Sequence, residues 1–379
     1  MPARGENYAG SVSEPEGLAP KFSTDRSAYA EALRQWFAGM HPEVSDVEVG
    51  NVNIPVATGF SNETAFFDAS WRDDDGAHTE RFVARIEPGS GPLFPAQTPA
   101  LTQSVGVQHR IMTAVGAQGI AVPPIVGYHG DRDLLGQPFF VMGFVDGVIP
   151  ADTPRYSEAG FLVDEATPEE RTLMITTGLE AMASIHAIDW RAAGLHWLDG
   201  TGTGEPTQAY QLDLYRRSIA ADLAGREHRV LSDALDWLAE NDPHDERVGL
   251  IWGDARIGNI IWRDYRPAAV VDWEACALCP TEADLGWWLM FDRMSFDDMD
   301  APRMAGYPTR DQMIEIYEKA SGREVRAPGY WELFAAMRFC AIFVPLADRM
   351  VEAGIAPREA NLAVNNAVSD AVARLLEQA

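Results

Sequence analysis

Residues 250–274 read LIWGDARIGNIIWRDYRPAAVVDWE. Short apolar runs, LIW, NIIW and AAVVDW, have the composition of buried strands. Three polar residues stand at their ends: Asp254, Asn259 five positions later, and Asp272 thirteen further on. Asp and Asn are common turn residues, and any one of the three alone would carry no more than that. The joint spacing between strands carries more. A carboxamide and a carboxylate offer hard oxygen ligands suited to Mg²⁺ beside nucleotide phosphates. A second carboxylate one loop away can accept a proton from an attacking hydroxyl.

Outward from this stretch the chain divides in two. Before Asp146-Gly147 the pattern is mostly β. A helical stretch from Ser27 to Met40 is followed by strand-like runs at Val47 to Ala57, Thr64 to Trp71 and Arg81 to Ile86. The acidic hairpin from Arg72 to Glu80 joins the last two. A Pro- and Gly-rich loop from Pro88 to Pro99, a helix from Val105 to Val115 and strands at Ile125 to Tyr128 and Pro138 to Val145 complete this part. Beyond it helical spacing dominates: Pro168 to Asp189, Gln208 to Leu223, Arg229 to Glu240, Glu282 to Arg293, Arg310 to Ser321, Gly329 to Ala353 and Pro357 to Glu377. Short β runs at Gly249 to Trp252, Ile260 to Arg263 and Ala268 to Trp273 interrupt the helices. The expectation is an α+β protein, with a small antiparallel β-rich lobe over residues 25–146 and a larger helical lobe over 147–379. A ligand cleft is expected at their junction. Residues 1–24 read as a disordered tail.

Of the 379 residues, 30 are basic and 57 acidic, a net charge of −27. Such a surface repels nucleic-acid phosphates and anionic membranes. The apolar runs fall short of the roughly 20 residues of a transmembrane helix. No feature points to a protein partner. Of the basic residues only Lys21 and Lys319 are lysine, so lysine chemistry must use one of those two. Cys276, Cys279 and Cys340 are too few for a disulfide framework, which fits a reducing cytoplasm. Cys276 and Cys279 form a C-x-x-C, the motif of redox and zinc sites. Lacking a second pair or nearby histidines, they read better as small buried side chains.

Trp252-Gly253-Asp254-Ala255-Arg256-Ile257-Gly258-Asn259 resembles the His-Gly-Asp-x-x-x-x-Asn motif of the aminoglycoside phosphotransferase family. These are kinase-like small-molecule phosphotransferases that include choline and macrolide kinases. Val271-Asp272-Trp273-Glu274 resembles the family's metal-binding segment, and Ala283-Asp284-Leu285 its Asp-Leu helix start. The likeness spans about residues 45 to 350, and Trp-Gly-Asp-Ala-Arg is similar to actinobacterial members. The resemblance implies a protein-kinase-like two-lobed fold and transfer of the γ-phosphate of ATP, or of GTP, to a hydroxyl of a small molecule. An aminoglycoside-like antibiotic is one candidate acceptor. It makes Asp254 the catalytic base, and Asn259 and Asp272 the Mg²⁺ ligands. Gly59, Ser61, Asn62 and Thr64 would lie in the turn over the phosphates, a turn that any hairpin could contain. The backbone of Met142, Gly143 and Phe144 would meet adenine.

Three positions depart from the family pattern. Trp252 replaces a histidine, so bulk is expected where a hydrogen-bonding brace would stand. Arg85 replaces the phosphate-clamping lysine, and Gln108 the glutamate that pairs with it; an Arg85–Gln108 pair is the expectation. Arg256 either offsets charge on the transferring phosphoryl group or pairs with Asp254 or Glu274 to hold the loop. His186 reads as a brace of the helical lobe. Trp287, Trp288, Met290 and Phe291 read mainly as core, some lining the acceptor pocket. The resemblance places that pocket around Trp331, Phe334 and Arg338. Asp297, Asp298 and Asp300 read as a solvated loop. The Lys-to-Arg and Glu-to-Gln changes motivate a rival reading, a nucleotide-binding regulator with little or no kinase activity.

Overall fold

The computed structural model describes residues 28–55, 62–244 and 247–379; the expected tail lies outside them. Helix α1 (Tyr29–Met40) precedes a five-stranded antiparallel sheet built from β1 (Ser45–Asn53), β2 (Glu63–Asp73), β3 (Gly76–Ile86), β4 (Ile125–His129) and β5 (Phe139–Gly143). The strand order is β1-β2-β3-β5-β4, with α2 (Ser104–Ala117) inserted between β3 and β4. Alternation sorts the side chains. Ala65, Phe67 and Ala69 of β2 oppose Ala84, Phe82 and Glu80 of β3. Phe67 and Phe82 stack at 5.6 Å, and Trp36 and Phe37 of α1 cover that face. The other face packs Val83 and Phe140 against Ile111 and Met112 of α2, continuous with the core of the helical lobe.

That lobe contains α3 (Phe161–Asp164), α4 (Pro168–His186), α5 (Gln208–Leu223), α6 (Arg229–Glu240), α7 (Glu282–Ser295), α8 (Arg310–Ser321), α9 (Pro328–Glu352) and α10 (Ala367–Gln378). Helix starts follow capping chemistry. Thr167 and Glu170 form a reciprocal capping box with Pro168 in the first turn, and Thr309 with Gln312 repeats it. The last helix starts at Ala367, ten residues later than its apolar spacing predicts. Asn361 adopts φ +47°, which breaks the run, and the Asn366 side chain caps the N–H groups of Val368 and Ser369.

Two small two-stranded sheets carry the polar residues. Strand β7 (Ile260–Arg263) pairs with β8 (Arg266–Val270). Strand β6 (Val248–Ile251) pairs with β9 (Ala277–Pro280), a strand the sequence pattern did not reveal, although Cys276 and Cys279 read as small buried side chains. Gly249 opposes Cys279, so the motif is strand backbone. Both thiols are buried and pushed up by burial, and Cys279 Sγ lies 3.3 Å from Gln208 Oε1.

Helix α9 corrects the expectation that no run is long enough for a membrane, since by length and composition it passes that test. Most of it is nevertheless buried within the protein, where it packs against α5, α6, α7 and α10. Its approach to α7 is close: a Cβ on Gly286 would lie 2.3 Å from the Trp331 carbonyl oxygen.

Candidate active site

Three of the predicted residues converge at the junction of the two lobes. Asp254 and Asn259 lie on the loop between β6 and β7, and Asp272 follows β8. The loop needs Gly253, whose φ is +94° and whose missing Cβ would come 2.0 Å from the Ala275 carbonyl oxygen. Asp284, at the first turn of α7, accepts the N–H groups of Trp252 at 2.6 Å and Gly253 at 2.8 Å. His186 Nε2 lies 3.0 Å from the same carboxylate and its Nδ1 2.7 Å from the Tyr317 hydroxyl, so His186 does brace the lobe. From the other side Arg338, only 2 % exposed, donates to the Gly253 carbonyl at 3.0 Å and to Tyr215 at 3.0 Å.

The expectation for Trp252 is corrected. Its indole N–H donates to the carbonyls of Val271 at 2.9 Å and Asp272 at 3.2 Å. The ring therefore ties the Asp254 loop to the Asp272 segment, a bond that bulk alone would not make. Asn259 adds a second tie, Nδ2 donating to the Asp254 carbonyl at 3.0 Å.

The Asp254 carboxylate is buried, and Oδ1 accepts the Trp287 indole N–H at 2.7 Å. Arg256 Nε stands 3.3 Å from the same oxygen, while its Nη1 reaches both oxygens of Asp152 at 2.8 Å. Burial pushes the Asp254 carboxyl above the usual range and the Asp272 charge adds to it, while Arg256, Trp287 and Asn259 pull the other way. Arg256 thus pairs with Asp254 and not with Glu274. Glu274 Oε2 instead accepts Asn62 Nδ2 at 2.9 Å and the Ser104 hydroxyl at 3.1 Å, a link between lobes that the sequence pattern did not reveal.

On the sheet side, Gly59 and Ser61 lie outside the described residues. Asn62 and Thr64 are buried, and Arg85 Nη1 donates to the Thr64 hydroxyl at 2.7 Å. Arg85 Nη2 lies 3.6 Å from Asp272 Oδ1. The expected Arg85–Gln108 pair does not form: Gln108, 1 % exposed, donates to Ser104 Oγ at 3.2 Å. The neutral amide joins the Asn62–Ser104–Glu274 cluster, where a carboxylate would bring a second negative charge close to Glu274. Along β5, the N–H groups of Gly143 and Phe144 already donate to the carbonyls of Pro124 at 2.8 Å and Arg81 at 2.9 Å, because β5 is an interior strand. Met142 is buried, and neither amide is an open donor for a base.

The residues suit a divalent cation. Asp272 Oδ1 is buried without a hydrogen bond, and Asp272 holds φ +61° to point where it does. Asn259 uses its amide nitrogen on the loop, which leaves its oxygen to ligate. Among the described residues no group of three or more His, Cys, Asp or Glu side chains forms a cage. One carboxylate and one carboxamide fit Mg²⁺, which keeps waters and phosphates as its other ligands.

Behind Asp254 opens a cavity of about 450 Å³. Trp287, Trp288 and Phe291 line it, as the sequence suggested for part of that block. Trp331, Phe334 and Arg338 do not: all three are buried in the core, Trp331 and Phe334 more than a turn back along α9 and Arg338 directly before Phe339, and Phe339, Ile342, Phe343, Leu346 and Met350 form the wall instead. Asp297 and Asp298 pair with Arg303 and with Arg293 and Arg374, away from the cavity.

Comparison with known proteins agrees with this fold. The model of the phosphotransferase enzyme family matches residues 54–316. Among solved structures, a candidate aminoglycoside phosphotransferase from Ralstonia eutropha superposes with a TM-score of 0.65 at 20% identity, covering 92% of this chain and 98% of that one. A thermostable mutant of the aminoglycoside phosphotransferase APH(4)-Ia superposes at 0.50 with 12% identity, covering 92% and 98%. At these identities the likeness is one of fold. Among curated proteins, acyl-CoA dehydrogenase family member 11 of Gallus gallus is 30% identical over 215 residues, 56% of this chain and 25% of that protein. Its human namesake is 24% identical over 271 residues, 69% and 32%. The chain spans a quarter to a third of the length of these two relatives.

Proposed function

The chain belongs to the phosphotransferase enzyme family, and from that premise we propose that it is a small-molecule phosphotransferase with an alcohol group as acceptor, moving the γ-phosphate of ATP, or of GTP, onto the hydroxyl. The observation that carries the reading is Asp254, a buried carboxylate held by Trp287 and Arg256 at the base of the cavity, with Asn259 and Asp272 beside it. Both donors fall on Oδ1, which makes Oδ2 the atom that takes the acceptor's proton. Asn259 and Asp272 would hold Mg²⁺, which when bound offsets charge on the phosphates. Arg85 keeps a guanidinium on the phosphate side and can contact phosphate oxygens bidentately. Arg256, clamped by Asp152, places a second cation next to the base, able to oppose charge on the transferring group. Adenine recognition through Met142, Gly143 and Phe144 would fall to groups other than the engaged N–H donors. Such catalysis is mainly positioning and charge neutralisation.

Asp254→Asn tests the reading. Loss of a general base costs about 10²–10⁴-fold, so phosphate transfer should fall by that factor while nucleotide binding, followed by calorimetry, persists. Transfer at the wild-type rate would overturn it. One observation favours the regulator reading: Arg85 stands against Asp272 Oδ1, a proposed metal ligand. Mg²⁺-dependent nucleotide binding with no ADP formed across a broad alcohol panel would support the regulator.

A further inference from the structure

The cavity behind Asp254 has two unlike ends. At the reacting end stand Asp254, Asp272 and Arg256. Away from it the wall is one face of α9, with Phe339, Ile342, Phe343, Leu346 and Met350 recurring at helical spacing. Phe339 marks the inner end, 6.1 Å from Trp287 and 5.1 Å from Phe291. Met350 lies eleven residues on, and at 1.5 Å per residue the stripe runs for about 16 Å. The facing wall is the Pro-rich loop after β3, where Leu93 and Phe94 line the cavity. Arg349 of α9 fastens this loop by donating to the carbonyls of Ser90 at 3.2 Å and Gly91 at 3.0 Å.

The carboxylates around the cavity already have partners. Asp152 is paired with Arg256, Asp292 with Arg303 at 2.6 Å, and Glu274 accepts from Asn62 and Ser104. Asp254 and Asp272 face Arg256 and Arg85. The carboxylates named here outnumber the guanidiniums five to three, so part of the −27 net charge of the chain does reach the cavity, but on groups that are already engaged. A polycation entering this cavity would shed water from its ammonium groups and have to compete with those partners for the carboxylates, which is costly.

We propose that the acceptor is an alcohol on an extended apolar chain, its hydroxyl at Asp254 and its chain lying along the Phe339–Met350 face of α9. The proposal rests on the phosphotransferase reading for where the hydroxyl sits, but the chain site stands on its own lining. Burial of methylene groups between α9 and the loop would supply the affinity.

The test is direct binding of straight-chain alcohols of graded length to the full chain, read by tryptophan fluorescence, with kanamycin as the polycationic comparison. ADP formation is measured in parallel. Affinity should rise about fourfold per added methylene until the stripe is covered. Leu346→Glu, at a half-buried wall position, should flatten that dependence, and Leu346→Ala should weaken it while keeping the apolar character of the wall. Affinity independent of chain length, or kanamycin bound more tightly than the longest alcohol, overturns the proposal, whatever ADP formation shows. Length-dependent binding that Leu346→Glu abolishes supports it even if no ADP forms, and in that case it is the phosphotransferase reading that fails.

Discussion

On the helical side of the cleft, the loop from Trp252 to Asn259 is anchored by several contacts, most of them to distant segments. Asp284 holds two of its N–H groups, Arg338 a carbonyl, Trp287 and Arg256 the carboxylate, and Trp252 ties the loop to Asp272. On the sheet side Arg85 has one hydrogen bond, to Thr64, and a longer approach to Asp272. Asp254, the proposed base, is thus preorganised by the protein, whereas Arg85, the proposed phosphate-side cation, is left for the nucleotide to complete. Preorganised groups lower a barrier because they need not reorient during reaction. Changes on the helical side should therefore cost stability and kcat together. Changes on the sheet side should cost nucleotide affinity and leave stability alone.

The largest effect is expected at Asp284, which is fully buried. Asp284→Ala strands the N–H groups of Trp252 and Gly253 and removes the partner of His186. Breaking a buried charged network by deleting one partner costs about 3–5 kcal/mol. Denaturant melts should show that loss, and kcat should drop tenfold or more with the KM for nucleotide little changed. Full stability with lost activity would mean that the loop is not held in this way.

Trp252→Phe is the milder version. It keeps an aromatic ring against Trp273, 6.1 Å away, but deletes the indole N–H. One hydrogen bond of this kind is worth about 1 kcal/mol. A fall in kcat of severalfold and a small loss of stability are expected. No change in either would return Trp252 to the role of bulk.

The spacing of Asp254, Asn259 and Asp272 was legible because loop and strands lie within one 25-residue stretch, where sequence distance and spatial distance agree. Most strands and helices were legible through period and caps. The braces were not. Trp287 and Asp254 are 33 residues apart, Arg338 and Gly253 85, Arg256 and Asp152 104, and Asn62 and Glu274 212. Side-chain bonds across such separations leave no local pattern. The family resemblance placed Arg338 at the acceptor pocket, which it does not line. Its guanidinium sits 4.7 Å over Trp287 inside the core, on the face of α9 that turns away from the cavity. A helix of 25 residues has more than one buried face, and composition alone does not say which face borders the ligand.

Arg85→Lys probes the loose side. A lysine offers a point charge where the guanidinium spans Thr64 and Asp272. Severalfold weaker nucleotide binding, an unchanged melting temperature and a nearly unchanged kcat are expected. A large loss of stability would erase the contrast between the two sides.

The pH profile should sharpen the contrast with the smallest effect. Burial raises the Asp254 carboxyl above its ordinary value, with Arg256 the largest opposing influence. The base must be ionised to work, so activity should fall on acidification at a pH above the roughly 3.9 of a free aspartate. The sign for stability is opposite. An acid whose folded pKa is raised favours the folded state when protonated, so its contribution is fully present below the unfolded value and is lost as pH rises through the folded one. Removing the opposing cation with Arg256→Gln should move the acid limb of the pH–rate profile to still higher pH. Arg85→Lys, which keeps its charge on the other side of the cleft, should leave the limb in place. Equal shifts in the two variants would show that the base senses both cations alike, and the division between a preorganised and a loose side would then fail at the one group where it matters most.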